Sequence, residues 1–236
     1  MMGVGLGIND LAVMQRKVWP IPVGPIVTAK GSAQGKAVGS LTIPNVTLTS
    51  GASLLVGIVF DATAANIDSV NWGAVPLSSI TGGVVGVGAA GALAPFAAHA
   101  VAGGTADLVI TWDAATTATA IAAEATGLTA TPEDVMHNAQ GSSTSPDSGA
   151  TLSTAQASEL LWGLVATNGP VEDAAGSWSN GFTAGQRQGT TGGIATSNFT
   201  ISDGFLVVSS IGTYAAGKTG ITSRAWGAAI VTLKAA

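Results

Sequence analysis

Short apolar runs separated by turn residues occupy most of the chain from residue 37 onward. The runs are rich in Val, Ile and Thr, and clusters of Gly, Asn, Ser and Pro bound them, which is typical of β-strands joined by turns. Their spacing is that of a sandwich or barrel. We therefore expect an all-β, antiparallel sandwich over residues 37–236. The predicted strands are 38–43, 54–61, 69–72, 75–80, 96–101, 108–112, 118–125, 160–167, 186–189, 198–201, 205–211 and 225–233.

One stretch within this region departs from the β pattern. The segment 131–134, Thr-Pro-Glu-Asp, combines a capping residue, a proline suited to the first helical position and two acids that favour the positive end of a helix dipole. The sequence therefore predicts a helix of one or two turns over residues 135–140. The serine- and glycine-rich stretch 141–149 that follows is expected to be a loop at the middle of the domain.

Residues 1–36 form a separate segment ahead of the sandwich. Leu11, Met14 and Val18 recur at helical spacing, and Trp19 lies at the end of this run. A helix this short is marginal alone and needs a surface on which to pack. We expect an extended or short-helical N-terminal arm.

The charge of the chain is distributed unevenly between these two parts. Residues 1–36 hold four basic residues against one acid, a net charge of +3, whereas residues 37–236 carry −8. The arm is either a solvated tail or a segment that docks on an acidic or hydrophobic partner. In the docking interpretation, the contact residues are Leu11, Met14, Arg16, Lys17, Val18 and Trp19.

Composition excludes several classes of protein. Charged residues make up 9% of the 236 residues, against about 25% in an ordinary soluble domain. Hydrophobic residues make up 47%, which argues against disorder, and no heptad pattern of Leu, Glu and Lys indicates a coiled coil. Thirteen acidic residues against eight basic ones argue against nucleic-acid binding. Small side chains and few charges favour symmetric packing between subunits, so we expect a homo-oligomer such as a trimer.

Targeting and membrane signals are weak. The first positive charges, Arg16 and Lys17, follow the apolar N-terminal residues, whereas a secretory signal has the opposite order. The uncharged stretch 69–106 is too rich in Gly for a spanning helix, and it contains Pro95. With no cysteine present, nothing requires an oxidising compartment. We expect a chain made in a cytoplasm, with no membrane partner.

The sequence presents no clear catalytic or metal-binding constellation. His99 and His137, without cysteines, do not suggest a zinc site, so no cofactor is expected. Gly86–Gly91 matches the dinucleotide pattern G-x-G-x-x-G, but roughly 0.6 chance matches are expected at this glycine frequency. Nothing marks a pair of catalytic carboxylates among the thirteen acids. We therefore expect a protein that is not an enzyme.

Trp178 is the best single candidate for a ligand or partner contact. It lies in the glycine- and serine-rich stretch 176–181, which the pattern predicts to be a loop. Its ring either stacks on a sugar or partner, or folds back over the edge of the core. Four other tryptophans fall in strand-like runs and are expected to pack in the core. They are Trp72, Trp112, Trp162 and Trp226.

Several segments together resemble a known type of domain. They are LLVGIV at 54–59, SVNWG at 69–73, ADLVITW at 106–112 and the closing WGAAIVTLK at 226–234. Their order resembles the jelly-roll-like β-sandwich domain of tailed-phage virion proteins and bacterial surface proteins, over about residues 40–234. The resemblance implies a structural or binding module with no catalytic residues.

These features together predict a non-enzymatic virion structural protein of a tailed bacteriophage. We expect a capsid decoration protein whose arm binds the major capsid protein or another virion protein. One alternative is a tail or fibre adhesin that binds cell-surface glycans near Trp178, and a weaker one is a glycan hydrolase with unmarked carboxylates. The expected location is the virion, after synthesis in the host cytoplasm.

Overall fold

A computed structural model describes residues 24–236 of the chain, which are almost entirely strands and connecting loops. The antiparallel, all-β sandwich that the sequence predicts is confirmed. Within residues 24–236, no helix is long and apolar enough to cross a membrane. The predicted arm contacts fall outside the described residues: Leu11, Met14, Arg16, Lys17, Val18 and Trp19.

Fifteen strands and one short 3-10 turn make up the described chain. The strands are β1 (Ile26–Leu48), β2 (Ser53–Asp61), β3 (Ile67–Trp72), β4 (Val75–Pro76), β5 (Ser78–Ser79), β6 (Val85–Val87), β7 (Gly91–Ala98), β8 (Gly104–Thr126), β9 (Leu128–Ser143), β10 (Ser158–Thr167), β11 (Ala175–Trp178), β12 (Thr183–Gly189), β13 (Thr200–Ser209), β14 (Lys218–Ile221) and β15 (Arg224–Ala235), and the turn is Ala195–Ser197.

The first sheet has eight strands with β8 at its centre. Strand β1 pairs with β8 along almost its full length, while β3 pairs with the first half of β8 and β2 with the second half. The register of β1 on β8 shifts twice between Gly35 and Ser40. Such bulges bend a sheet. Trp112 lies on the first half of β8, and Phe60 lies on β2, which pairs with the second half. Their rings meet in one core, with the ring centroids 6.4 Å apart.

The second sheet has five strands in the order β12-β13-β10-β15-β9. A second core lies between the two sheets, where Leu55 and Val59 of β2 pack with Trp162 and Leu164 of β10. Strand β2 therefore contributes to a core on each face. A strand buried on both faces reads as a continuous apolar run instead of an alternating one, which is the sequence of β2.

Glycines allow close contact where the small β6–β7 hairpin meets the second sheet. The dinucleotide-like motif Gly86–Gly91 covers the end of β6, a turn and the start of β7, with no helix after it. A Cβ placed on Gly227 of β15 would lie 2.7 Å from the backbone oxygen of Gly86. These glycines therefore serve strand packing.

Replacing Gly227 by alanine is expected to lower the free energy of unfolding by about 1–3 kcal/mol, because backbone must move to admit the methyl group. Gly39→Ala is the matched control, since a Cβ on Gly39 meets nothing within 4 Å. Urea unfolding of the two variants measures the difference. Equal stabilities would contradict this account of the contact.

The predicted helix over 135–140 is wrong, because these residues lie in β9. Among the described strands, β9 pairs only with β15 and is an edge strand, where a proline such as Pro132 needs no ladder partner. The pairing register shifts between Val231 and Leu233, and Val135 N donates to Thr232 Oγ1 over 3.1 Å. Pairing with β15 thus overrides the local capping signal. Strand β9 extends to Ser143, so the loop begins after that residue.

Strand β1 begins at Ile26, so residues 26–36 of the predicted arm pair with β8 in the first sheet. Lys30 Nζ lies 2.6 Å from Glu124 Oε2, and Lys36 donates to the Gly192 carbonyl. Both lysines are thus engaged by the sandwich. Residues 1–23, with Arg16 and Lys17 as their basic residues against one acid, lie outside the described part of the chain.

Candidate ligand-binding cleft

A two-stranded sheet, β11 and β14, covers part of the outer face of the second sheet. Trp178 at the end of β11 is paired in register with Lys218 at the start of β14. The stretch predicted as a loop is therefore partly a strand. This pairing places an aromatic ring and an ammonium group side by side at the edge of the sandwich.

The ring of Trp178 folds back over the sheet, which was one of the two alternatives from the sequence. A Cβ on Gly204 would lie 2.7 Å from the indole, and one on Gly163 would lie 3.1 Å from it. Phe182 stacks against the indole with ring centroids 5.8 Å apart and planes 26° apart. Only part of the ring therefore remains to border the cleft beside it.

A cleft of about 350 Å³ opens beside Trp178. Its walls come from β11, the start of β14, Ser202 of β13 and residues 182–187 on and before β12. Two cationic side chains line it, Arg187 and Lys218. This volume falls within the usual range for small-molecule sites, about 300–1,000 Å³.

Lys218 is the most unusual residue of the cleft. It is only 5% exposed, its Nζ lies 5.5 Å from the centroid of the Trp178 ring, and the ammonium donates to Ser202 Oγ over 3.3 Å. Within residues 24–236, no carboxylate oxygen lies within 4.0 Å of this ammonium. Burial, and then the charge of Arg187, lower the pKa of Lys218 to about 8. A carboxylate would offset this burial of charge, and residues 24–236 place none within 4.0 Å of it.

Arg187 is held beside Lys218 by backbone contacts. Its Nη1 donates to the Val171 carbonyl over 2.6 Å, and its Nη2 donates to the Asp173 carbonyl over 2.9 Å. The Asp173 carboxylate accepts two bonds from Arg224, of 2.7 and 3.0 Å. The charges of Asp173 and Glu172 also act on Arg187, but neither carboxylate lines the cleft, where the charged side chains are Arg187 and Lys218.

A second cavity, of about 320 Å³, lies on the inner side of the bulge in β12. Asp203 lines this cavity together with Val27 and Phe205. The Asp203 carboxylate accepts a 2.5 Å bond from the backbone N–H of Gln186, but burial raises its pKa to about 6. The cavities on the two sides of edge strand β12 therefore differ in their charged groups. Two cationic side chains line the first, and a carboxyl group lines the second.

A pair of carboxyl groups, Glu159 and Asp134, was not marked by the sequence. Glu159 is completely buried, and burial, reinforced by the nearby Asp134 carboxylate, raises its pKa. Asp134 lines a shallow cavity of about 150 Å³, but Glu159 does not. Because Glu159 is sealed from solvent, this pair lacks the access to a sugar that glycoside hydrolysis requires.

The two histidines lie apart in separate hydrogen bonds. His99 contacts Ser53 Oγ at 2.9 Å and Glu133 Oε1 at 3.1 Å, whereas His137 Nδ1 lies 2.6 Å from the Ser148 carbonyl. Over the described range, no group of three or more His, Cys, Asp or Glu side chains is arranged to hold a metal ion. The four tryptophans predicted to lie in the core are buried, as expected: Trp72, Trp112, Trp162 and Trp226.

The sequence pointed to Trp178 but missed both cations beside it. Arg187 lies on β12 and Lys218 on β14, so both are on other strands than Trp178. Lys218 is an isolated cation among small residues, and Arg187 lies between two glutamines, in a chain with only eight basic residues. That isolation was the available signal, and the fold is needed to bring the three together.

Comparison of the chain with protein-family models, with curated proteins and with solved structures finds no match in any of the three. The resemblance to phage virion domains therefore stays a prediction, and the geometry has to carry any functional conclusion.

Proposed function

We propose that the protein is a non-enzymatic structural protein of a tailed-phage virion, specifically a capsid decoration protein anchored by its N-terminal arm. The supporting observation is the way in which the arm joins the fold. The described chain starts at Gly24 and enters β1, which pairs with the central strand β8 from Ile26 to Leu48. Residues 1–23 therefore lead directly into a strand of 23 residues that is paired with the centre of the first sheet, which suits a point of attachment.

The surface also offers contacts for a second subunit or a capsid protein. Leu152 is 77% exposed and Ile211 is 61% exposed. They lie on adjoining segments, because Thr154 N donates to the Gly212 carbonyl over 3.0 Å. Exposed aliphatic side chains on neighbouring segments support assembly into a homo-oligomer or attachment to a larger particle.

Deletion of residues 1–20 is expected to abolish binding to purified capsids and to leave the melting temperature unchanged, because the deletion leaves every described strand, from Ile26 onward, intact. Co-sedimentation with capsids measures binding. Arg16→Glu with Lys17→Glu tests the basic part of the arm, and Lys234→Met, on β15, serves as a control. Undiminished capsid binding by the deletion variant would contradict the anchoring role.

A second candidate function is favoured by the cleft beside Trp178. A tail or fibre adhesin that binds cell-surface glycans needs an open, polar site with an aromatic wall, and Trp178, Arg187 and Lys218 supply one. A glycan array tests this function with the native chain and with Trp178→Ala. The adhesin candidate requires binding that the substitution removes, and silence across a broad array would eliminate it.

A further inference from the structure

We propose that the cleft formed by Trp178, Arg187, Ser202 and Lys218 binds the carboxylate of an acidic sugar. This inference goes beyond the decoration role. It rests on the adhesin candidate to the extent that it names the class of ligand that the same cleft would bind. Its basis is a buried cation that no carboxylate of the described chain approaches within 4.0 Å, at the wall of a cavity large enough for a monosaccharide.

The first step is the number of hydrogen-bond donors in the cleft that residues 24–236 leave without an acceptor. An ammonium has three N–H groups, and Lys218 directs one of them to Ser202 Oγ. A guanidinium has five, and Arg187 directs one to each of two backbone carbonyls. The hydroxyl hydrogen of Ser202 is also free to donate if its oxygen accepts from Lys218. The cleft thus has an excess of donors, which matches an acceptor-only anion.

The second step is the electrostatic state of the free site. Lys218 is nine-tenths buried next to another cation, and its pKa of about 8 means that its surroundings disfavour the charged form. The indole of Trp178 offers the ammonium a cation–π contact at 5.5 Å, but it brings no negative charge. An anion placed between Arg187 and Lys218 would supply it. Binding is therefore expected to raise the pKa of Lys218.

The third step is the size and lining of the cleft, which select a sugar acid over a bare ion. A cavity of about 350 Å³ is much larger than a carboxylate, and Trp178 and Phe182 give part of its wall an aromatic character. Aromatic edges next to hydroxyl and backbone polar groups suit the mixed apolar and hydroxylated surface of a pyranose ring. Glucuronic acid is the simplest ligand that combines these features.

Calorimetric titration of the full chain at pH 7 and low salt tests this site, with glucuronic acid, glucose and inorganic phosphate as probes. Glucuronic acid is expected to bind, with an affinity that falls as salt is added, and glucose is not. Lys218→Met and Arg187→Gln are each expected to weaken glucuronic acid binding at least about tenfold. Lys234→Met, the same substitution at a lysine outside the cleft, should leave it unchanged.

Several outcomes would overturn the site. No measurable binding of glucuronic acid, or equal affinity in the native chain and Lys218→Met, would remove the anion site. Phosphate binding as tightly as glucuronic acid would remove the sugar from the assignment. Melting temperatures and capsid binding of the same variants separate the two proposals, because Lys218→Met retains the arm. A variant that loses glucuronic acid but still binds capsids supports the cleft independently of the anchoring role.

Discussion

Replacing Lys218 by methionine is expected to raise the free energy of unfolding at pH 7 by about 2 kcal/mol. The pKa of Lys218 falls from 10.5 to about 8 on folding, so the folded chain binds this proton less tightly than the unfolded chain. The shift corresponds to a cost of about 3 kcal/mol, from which a lost cation–π contact subtracts about 1 kcal/mol. Methionine keeps an unbranched apolar stem of similar length without the buried charge.

The pH dependence of this effect has a definite sign. The cost of the buried ammonium is fully present below pH 8, and it declines as the pH rises from 8 to 10.5, where the unfolded chain also loses the proton. The advantage of Lys218→Met should therefore be constant below pH 8 and vanish near pH 10.5. Urea unfolding at both pH values, with Lys234→Met as the control, measures it. A lower free energy of unfolding for Lys218→Met at pH 7 would contradict this prediction and would show that the ammonium stabilises the packing of Trp178.

Asp203→Asn is expected to raise the free energy of unfolding by about 2–3 kcal/mol at pH 8. Burial raises the pKa of this carboxyl from 3.8 to about 6, so the stability that its protonated form contributes is present below pH 3.8 and lost as the pH rises to 6. Above pH 6 a charged carboxylate is buried at full cost. Asparagine retains an oxygen that can accept the backbone N–H of Gln186.

The advantage of Asp203→Asn should shrink to less than about 1 kcal/mol at pH 4, where the native carboxyl is already protonated in the folded chain. Denaturant unfolding at pH 4 and pH 8 gives the comparison. Asp68→Asn is the matched control, since this substitution removes an exposed carboxylate from β3. An advantage of equal size at both pH values would contradict burial as the cause.

The strands that could be predicted from the sequence are those that pack on both faces. Strands β2, β10 and β15 are buried nearly throughout, and each of them appears as an unbroken apolar run close to its predicted range. Such a run identifies a strand without knowledge of its partners. The sequence therefore predicted the layered all-β class well.

Elements at sheet edges were harder to predict. Residues 26–36 of β1 and residues 131–140 of β9 lie on strands with one paired edge. Edge strands need few large apolar residues, and bulges near Gly35 and Met136 interrupt the alternation that would reveal them. For β9, a local capping motif then outweighed the pairing that decides the structure, and for β1, an excess of basic residues led to its assignment to a separate arm.

The residues of the candidate cleft also differ in how well the sequence identifies them. Trp178 was identified because a tryptophan among turn residues is conspicuous. Arg187 and Lys218 were missed because isolation from other charges is a weak signal, and only the packing of β11 and β14 against the second sheet brings them together. Their proposed role depends on the lack, among residues 24–236, of a carboxylate oxygen within 4.0 Å of the Lys218 ammonium, which only the fold reveals.

The most direct test of this account is an NMR titration of the Lys218 ammonium, assigned by comparison with Lys218→Met, with and without saturating glucuronic acid. We expect a pKa of about 8 in the free protein and a clearly higher value in the complex, because the bound carboxylate supplies the missing negative charge. The same pKa in both states would show that no anion reaches Lys218 and would contradict the account.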